Sequence, residues 1–136
     1  MRTRPMTLRG LLPAGDSIRL ILDDGQYLNG FKVRSLVVWN PTWTNGGYAI
    51  LSYSENAPAN ANAGDGNQIA WANFDASTTN LNDIQAIIDP DHVVQQDLYL
   101  HGVGADLSYL VVLDPITLSG PQGVLQLVKA SRQDEP

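Results

Sequence analysis

The 136-residue sequence contains no cysteine, which excludes disulfides, thiolate metal sites and cysteine nucleophiles together. Lys and Glu are scarce, two of each, as in a chain with little exposed helix. No apolar run approaches the roughly 18 residues of a membrane-spanning helix, so no membrane span is expected. The start, Met-Arg-Thr-Arg-Pro-Met-Thr-Leu-Arg, is basic but has no apolar h-region behind it, so no signal peptide is expected either. Basic residues are outnumbered, 8 against 14 acids for a net charge of −6, which argues against a broad nucleic-acid-binding face. Twelve of the acids are Asp, a residue of turns and strand ends.

What fills the chain instead is a series of about eight short apolar runs cut by Gly, Pro, Asn and Asp. They are Met6–Leu12, Ser17–Leu22, Phe31–Trp39, Tyr48–Tyr53, Gln68–Phe74, Val93–Leu100, Ser108–Leu113 and Gly123–Val128. Short runs with turn chemistry between them predict an all-β fold, here a two-sheet, jelly-roll-like sandwich. The expected organisation is a short basic arm over residues 1–5, one sandwich domain over 6–130 and a frayed tail over 131–136.

Local patterning refines this. Phe31, Val33, Ser35, Val37 and Trp39 alternate onto one face, while Lys32 and Arg34 give way to Leu36 and Val38 on the other. That reads as a central strand, as does the nearly all-apolar stretch Leu107–Leu113. Residues 93–101 read as one strand, with Val93, Gln95, Asp97, Tyr99 and His101 on an exposed face. Asp23-Asp24-Gly25, Asn45-Gly46-Gly47 and Gly102–Asp106 read as turns. Ser54–Asn67 has no large apolar residue, and loops of that length are functional or mobile. Leu81, Ile84, Ile87 and Ile88, spaced at i, i+3, i+6 and i+7 with Thr79 or Asn80 as caps, predict one short helix near 80–88.

Candidate chemistry is sparse. His92 and His101, nine positions apart on one strand, would face opposite sides, so joint metal binding is not expected. Asp89-Pro90-Asp91 and Asp114-Pro115 read as turn chemistry. Asp89 and Asp91, or Asn60, Asn62 and Asp65, offer oxygen ligands for Ca²⁺, but neither set has the EF-hand spacing. No Gly-flanked serine with nucleophile-elbow spacing partners either histidine, and a His-rich cupin cluster is absent. We therefore expect no enzyme, no cofactor, no metal site and no small-molecule substrate.

Trp39 and Trp71 lie in predicted strands and are assigned to the core. Trp43 lies in the polar loop Asn40-Pro41-Thr42-Trp43-Thr44-Asn45. It is either an anchor for a partner or folded over one end of the sandwich. With Tyr48, Tyr53 or Tyr99 it would make a stacking platform for a carbohydrate-binding module. Arg2, Arg4 and Arg9 concentrate three of the basic residues in the first nine positions. Such an arm would touch an anionic partner weakly, nucleic acid included, and gain by repetition in a symmetric assembly.

The stretch Ile88-Asp89-Pro90-Asp91-His92-Val93-Val94-Gln95-Gln96-Asp97-Leu98-Tyr99-Leu100, followed by Leu107-Ser108-Tyr109-Leu110-Val111-Val112-Leu113, resembles small structural proteins of bacteriophages. The resemblance implies a non-enzymatic protein of the virion: a capsid, penton or decoration subunit forming homo-oligomers and contacting other virion proteins. Such proteins act through surfaces, and the candidate interface residues are Arg2, Arg4, Arg9, Trp43 and Tyr48. The alternative is the carbohydrate-binding sandwich. Deleting residues 1–5 is expected to leave the circular dichroism spectrum and melting temperature unchanged while weakening self-association in light scattering. Unchanged association would remove the arm from the interface.

Overall fold

The computed structural model describes residues 4–22, 29–42, 44–74 and 85–117. These form eight strands: β1 (Met6–Leu12), β2 (Ser17–Leu20), β3 (Asn29–Trp39), β4 (Gly47–Ser52), β5 (Gln68–Phe74), β6 (Gln85–Ile88), β7 (Leu98–Val103) and β8 (Leu107–Thr117). They make two antiparallel sheets, ordered β1-β8-β3 and β2-β7-β4-β5-β6. The chain crosses between the sheets after β1, β2, β3 and β7. That interleaving, with strands 1, 8 and 3 in one sheet and 2, 7, 4 and 5 in the other, is a jelly-roll pattern.

Alternation explains the layers. Leu107, Tyr109, Val111 and Leu113 of β8 are buried, while the residues between them are half-exposed. They meet Ala49 and Leu51 of β4, Ala70, Ala72 and Phe74 of β5, and Leu98 and Leu100 of β7 in one core. Gly102 of β7 faces the other sheet, where a Cβ would come 3.1 Å from Leu107 Cδ2 and 3.2 Å from Leu12 Cδ2, and Gly47 is crowded within its own sheet. A Cβ at Gly47 would fall well inside contact distance of the Val103 carbonyl oxygen, and 3.1 Å from Phe74 Cζ. Gly104 closes the β7–β8 turn at φ +96°, a backbone conformation that glycine adopts without Cβ strain.

Several sequence expectations change. In β3 the register against β8 slips between Val33 and Ser35. The bulge at Arg34 reverses the faces, so Val33, Leu36 and Val38 are buried while Ser35, Val37 and Trp39 face outward, half-buried. Among the described residues β3 is an edge strand, not a central one. Charged Lys32 and Arg34, the bulge, and the bridge from Phe31 to Val94 are devices that blunt such an edge. β8 is central, as the sequence indicated. Asp114-Pro115 lies within it rather than in a turn. Pro115 pairs with Phe31 beyond the end of β1, where a missing N–H costs no second ladder. Arg34 grips Asp114 through two nitrogens at 2.9 and 2.7 Å.

The segment 93–97 is not strand. It leaves the turn at 90–91, exchanges two backbone hydrogen bonds between Val94 and Phe31 at 2.7 and 2.8 Å, and enters β7 only at Leu98. Gly102 thus lies in β7, and the turn falls at 104–105. Of the helix placed near 80–88, residues 85–88 form β6. Ile87 pairs with Trp71 and Ile88 with Ala70, and cross-strand packing of β-branched side chains outweighs a spacing that suits either period. The remainder of that helix, the 23–25 turn, the run Gly123–Val128, the tail, Arg2 and Trp43 lie outside the described residues.

Gly47→Ala is expected to lower stability by about 1–3 kcal/mol through overpacking against the neighbouring strands β5 and β7, read as a reduced urea midpoint. An unchanged midpoint would mean that Val103 and Phe74 yield freely.

Candidate functional site

Two outer sheet faces remain once the core is closed. On the three-stranded sheet, register places Leu11, Ser108 and Trp39 in one row and Arg9, Leu110 and Val37 in the next. A third row holds Thr7, Val112 and Ser35. Leu11 is 60 % exposed, and Val37, Trp39, Leu110 and Val112 are half-buried. An outer face of an antiparallel sheet is normally polar. This one is mainly apolar, with Arg9 the charged side chain among these three rows.

The five-stranded sheet has a different outer face. One row runs Ser17, His101, Ile50, Trp71, Ile87 across all five strands. Ile50 is fully buried although it lies outside the inter-sheet core, because the 54–67 loop lies over this face. Gln68 anchors that loop. Its Oε1 accepts from the Asn62 backbone N–H at 2.9 Å and from Trp71 Nε1–H at 2.7 Å. Its Nε2 donates to the Asn60 carbonyl at 3.0 Å and to Asp65 Oδ2 at 3.2 Å. Every donor and acceptor of the buried carboxamide is thus used, as burial demands. Asp65 Oδ1 further accepts from the Asn67 N–H and Asn62 Oδ1 from the Gly64 N–H. The oxygens weighed for Ca²⁺ therefore build turns.

The histidines also converge on this loop's entry. His101 is buried. Its Nε2–H points to the Ser54 carbonyl at 2.9 Å, which leaves Nδ1 to accept from the Ser17 hydroxyl at 2.5 Å. Ser52 Oγ stands 3.2 Å from Nε2. Burial lowers the His101 pKa, opposed in part by the Ser54 hydrogen bond. Residue 101, placed by the sequence on an exposed face, is thereby a polar staple joining β2, β7, β4 and the loop. Ser17 and His101 stand within the reach of a nucleophile and its base, but neither of the depressions described below includes them. His92 is buried in the turn before Val94, outside any strand, and hydrogen-bonds the Tyr53 hydroxyl. Asp89 Oδ1 accepts from the Asp91 N–H at 3.1 Å, turn chemistry as read from the sequence. Among the described residues no three His, Cys, Asp or Glu side chains gather as a metal site.

Beside the loop lies an open depression of about 320 Å³ lined by Tyr48, Ala49, Ala61, Trp71, Ala72, Asn73 and Ile87. Tyr48 stands directly opposite Asn73. A second depression, about 470 Å³, lies at one end of the sandwich among Leu11, Asn40, Thr42, Asn45 and Asp106. There the buried Asn40 donates to the Asp106 carbonyl at 2.9 Å and accepts from Thr42 Oγ1 and the Thr44 N–H.

No family model, curated protein or solved structure matches the chain.

The structure thus separates the residues singled out from sequence. Arg4 and Arg9 are exposed at the start of and within β1. Tyr48 is on the opposite sheet, so these side chains form no common site. Tyr53 packs on His92 with ring centroids 5.3 Å apart, and Tyr99 stacks on His101 at 6.5 Å. Tyr48 alone of the three tyrosines lines the aromatic depression. Its partner is Trp71, assigned from sequence to the core but half-buried on the outer face. Trp39 is likewise outward, a consequence of the bulge at Arg34. Gln68 and Ser17 carried no sequence signal, since their partners are set by strand register and loop path.

His101 carries a sign for pH dependence. Its pKa is lower folded than unfolded, so the unfolded chain binds more protons as pH falls. Its contribution is complete above the unfolded value, about 6.5, and declines below it towards the folded value. The urea midpoint of the wild type is expected to fall more steeply from pH 7.5 to 5 than that of His101→Gln. Parallel profiles would rule out this linkage.

Proposed function

We propose that the protein is a non-enzymatic structural subunit of a virion, acting through protein–protein interfaces in a symmetric assembly. The observation that carries this reading is the apolar outer face of the three-stranded sheet, Leu11, Val37, Trp39, Leu110 and Val112 around Arg9. Left in water, such a face favours association, and contiguous apolar patches mark interaction sites. Two edges add to it. Leu11 lies on β1 and Ile21, 75 % exposed, directly follows β2, and these two edge strands pair without the bulge that blunts β3.

Jelly rolls recur among viral capsid proteins, lectins and cupins, so the fold is compatible with this role without selecting it. What favours the virion is the likeness of residues 88–100 and 107–113 to small bacteriophage structural proteins. In that setting Arg9 would lie within the contact face and Arg4 next to it. Repetition by symmetry would multiply both the apolar contact and the weak anionic contact.

The full chain is expected to form concentration-dependent closed oligomers in light scattering. Leu11→Asp is expected to shift them to monomer while changing the monomer's unfolding free energy by no more than about 0.5 kcal/mol, as for other exposed positions. A strict monomer at all concentrations, or oligomers indifferent to Leu11→Asp, would overturn this face as the self-contact.

A further inference from the structure

We propose that the depression between Tyr48, Trp71 and Asn73 is a binding site for one ring of a neutral saccharide. It lies on the five-stranded sheet, opposite the face assigned above to assembly, so the two assignments stand or fall separately.

The wall is prearranged. Trp71 spends its only polar group, the indole N–H, on Gln68 Oε1 at 2.7 Å, and Gln68 is held in turn by Asn60, Asn62 and Asp65. The indole is therefore fixed in orientation while part of it still borders the depression. A fixed aromatic surface loses little conformational entropy when a ligand stacks on it. Across from it, the Tyr48 hydroxyl and the Asn73 carboxamide make no hydrogen bond to any described residue. Their side chains are cross-strand neighbours, so both present polar atoms to one small region. Ala61 of the loop and Ile87 of β6 complete the rim.

The lining selects the ligand class. Among the described residues it contains no charged side chain, and the protein is acidic overall at −6, which disfavours phosphates, nucleic acid and anionic glycans. A volume of about 320 Å³ lies at the small end of ligand sites, roughly 300–1,000 Å³, and fits a single ring better than a bulky chain. A flat hydrocarbon would cover the indole but leave the tyrosine hydroxyl and the amide desolvated and unpaired, which is costly. A pyranose offers both complements: a face of C–H groups for the indole and a rim of hydroxyls for Tyr48 and Asn73.

The test uses the full chain with methyl α- and β-glycosides of glucose, galactose, mannose and N-acetylglucosamine, followed by saturation-transfer NMR. At least one is expected to bind in the millimolar range, with transfer strongest to the ring C–H protons. Trp71→Ala is expected to abolish the signal. Because that change also releases Gln68, Tyr48→Phe serves as the conservative variant; it removes one hydroxyl and is expected to weaken binding about fivefold with the melting temperature unchanged. Absence of transfer across the panel at tens of millimolar would overturn the proposal. So would transfer that survives both substitutions, or tighter binding of benzyl alcohol than of every sugar, which would mark a merely apolar hollow.

Discussion

Two sheets that each carry one strongly apolar face can bury those faces only against each other, and everything else in this protein is arranged around that contact. Leu98, Leu100, Leu107, Val111 and Leu113 are essentially inaccessible to water, and burying each contributes roughly 1.5–3 kcal/mol relative to exposure. Ala49, Ala70 and Ala72 line the core, and a Cβ on Gly102 would come 3.1 Å from Leu107 Cδ2 and 3.2 Å from Leu12 Cδ2 of the other sheet. Once this face is committed, the outer faces and strand edges are what remains for recognition.

Three polar side chains trapped by the same burial tie loops to the sheets. Gln68, His101 and Asn40 each sit below the surface, and each is bonded to backbone or side chains of a loop. The 54–67 loop illustrates the consequence. A segment with no large apolar residue has little to bury, yet it folds into turns because a single carboxamide, held by the sheet, offers two donors and two acceptors. The loop then shields Ile50 and leaves Trp71 partly uncovered at its margin. The aromatic depression is thus a by-product of how a polar loop is tied down.

The two outer faces divide the recognition assigned to the molecule. Across three rows the three-stranded sheet presents mainly apolar side chains, Trp39 among them, around Arg9, with Lys32, Asp114 and Arg34 beyond, a surface suited to another protein. The five-stranded sheet presents a hollow that is uncharged among the described residues and bordered by Tyr48 and Asn73, a surface suited to a small neutral ligand. Their separation across the sandwich means that occupation of one need not obstruct the other.

Legibility followed locality. The all-β class, the exact spans Met6–Leu12 and Gln68–Phe74, the central place of β8 and the turn role of Asp89-Pro90-Asp91 were readable, because alternation and turn chemistry act between neighbours in sequence. The faces of Trp39 and Val37 were not, since one bulged residue at Arg34 reverses every side chain after it. Ile87 and Ile88 had a helix-compatible spacing that pairing with β5 overrode. Trp71 was misplaced because an aromatic in a strand looks alike from either side. By itself, then, the sequence determined where strands and turns fall and that two apolar faces must meet. Only the tertiary structure decided which face each tryptophan takes, that His101 meets Ser17 and Ser54, and that Tyr48 stands beside Trp71 and Asn73. Those depend on register between segments up to 84 residues apart, which no local pattern encodes.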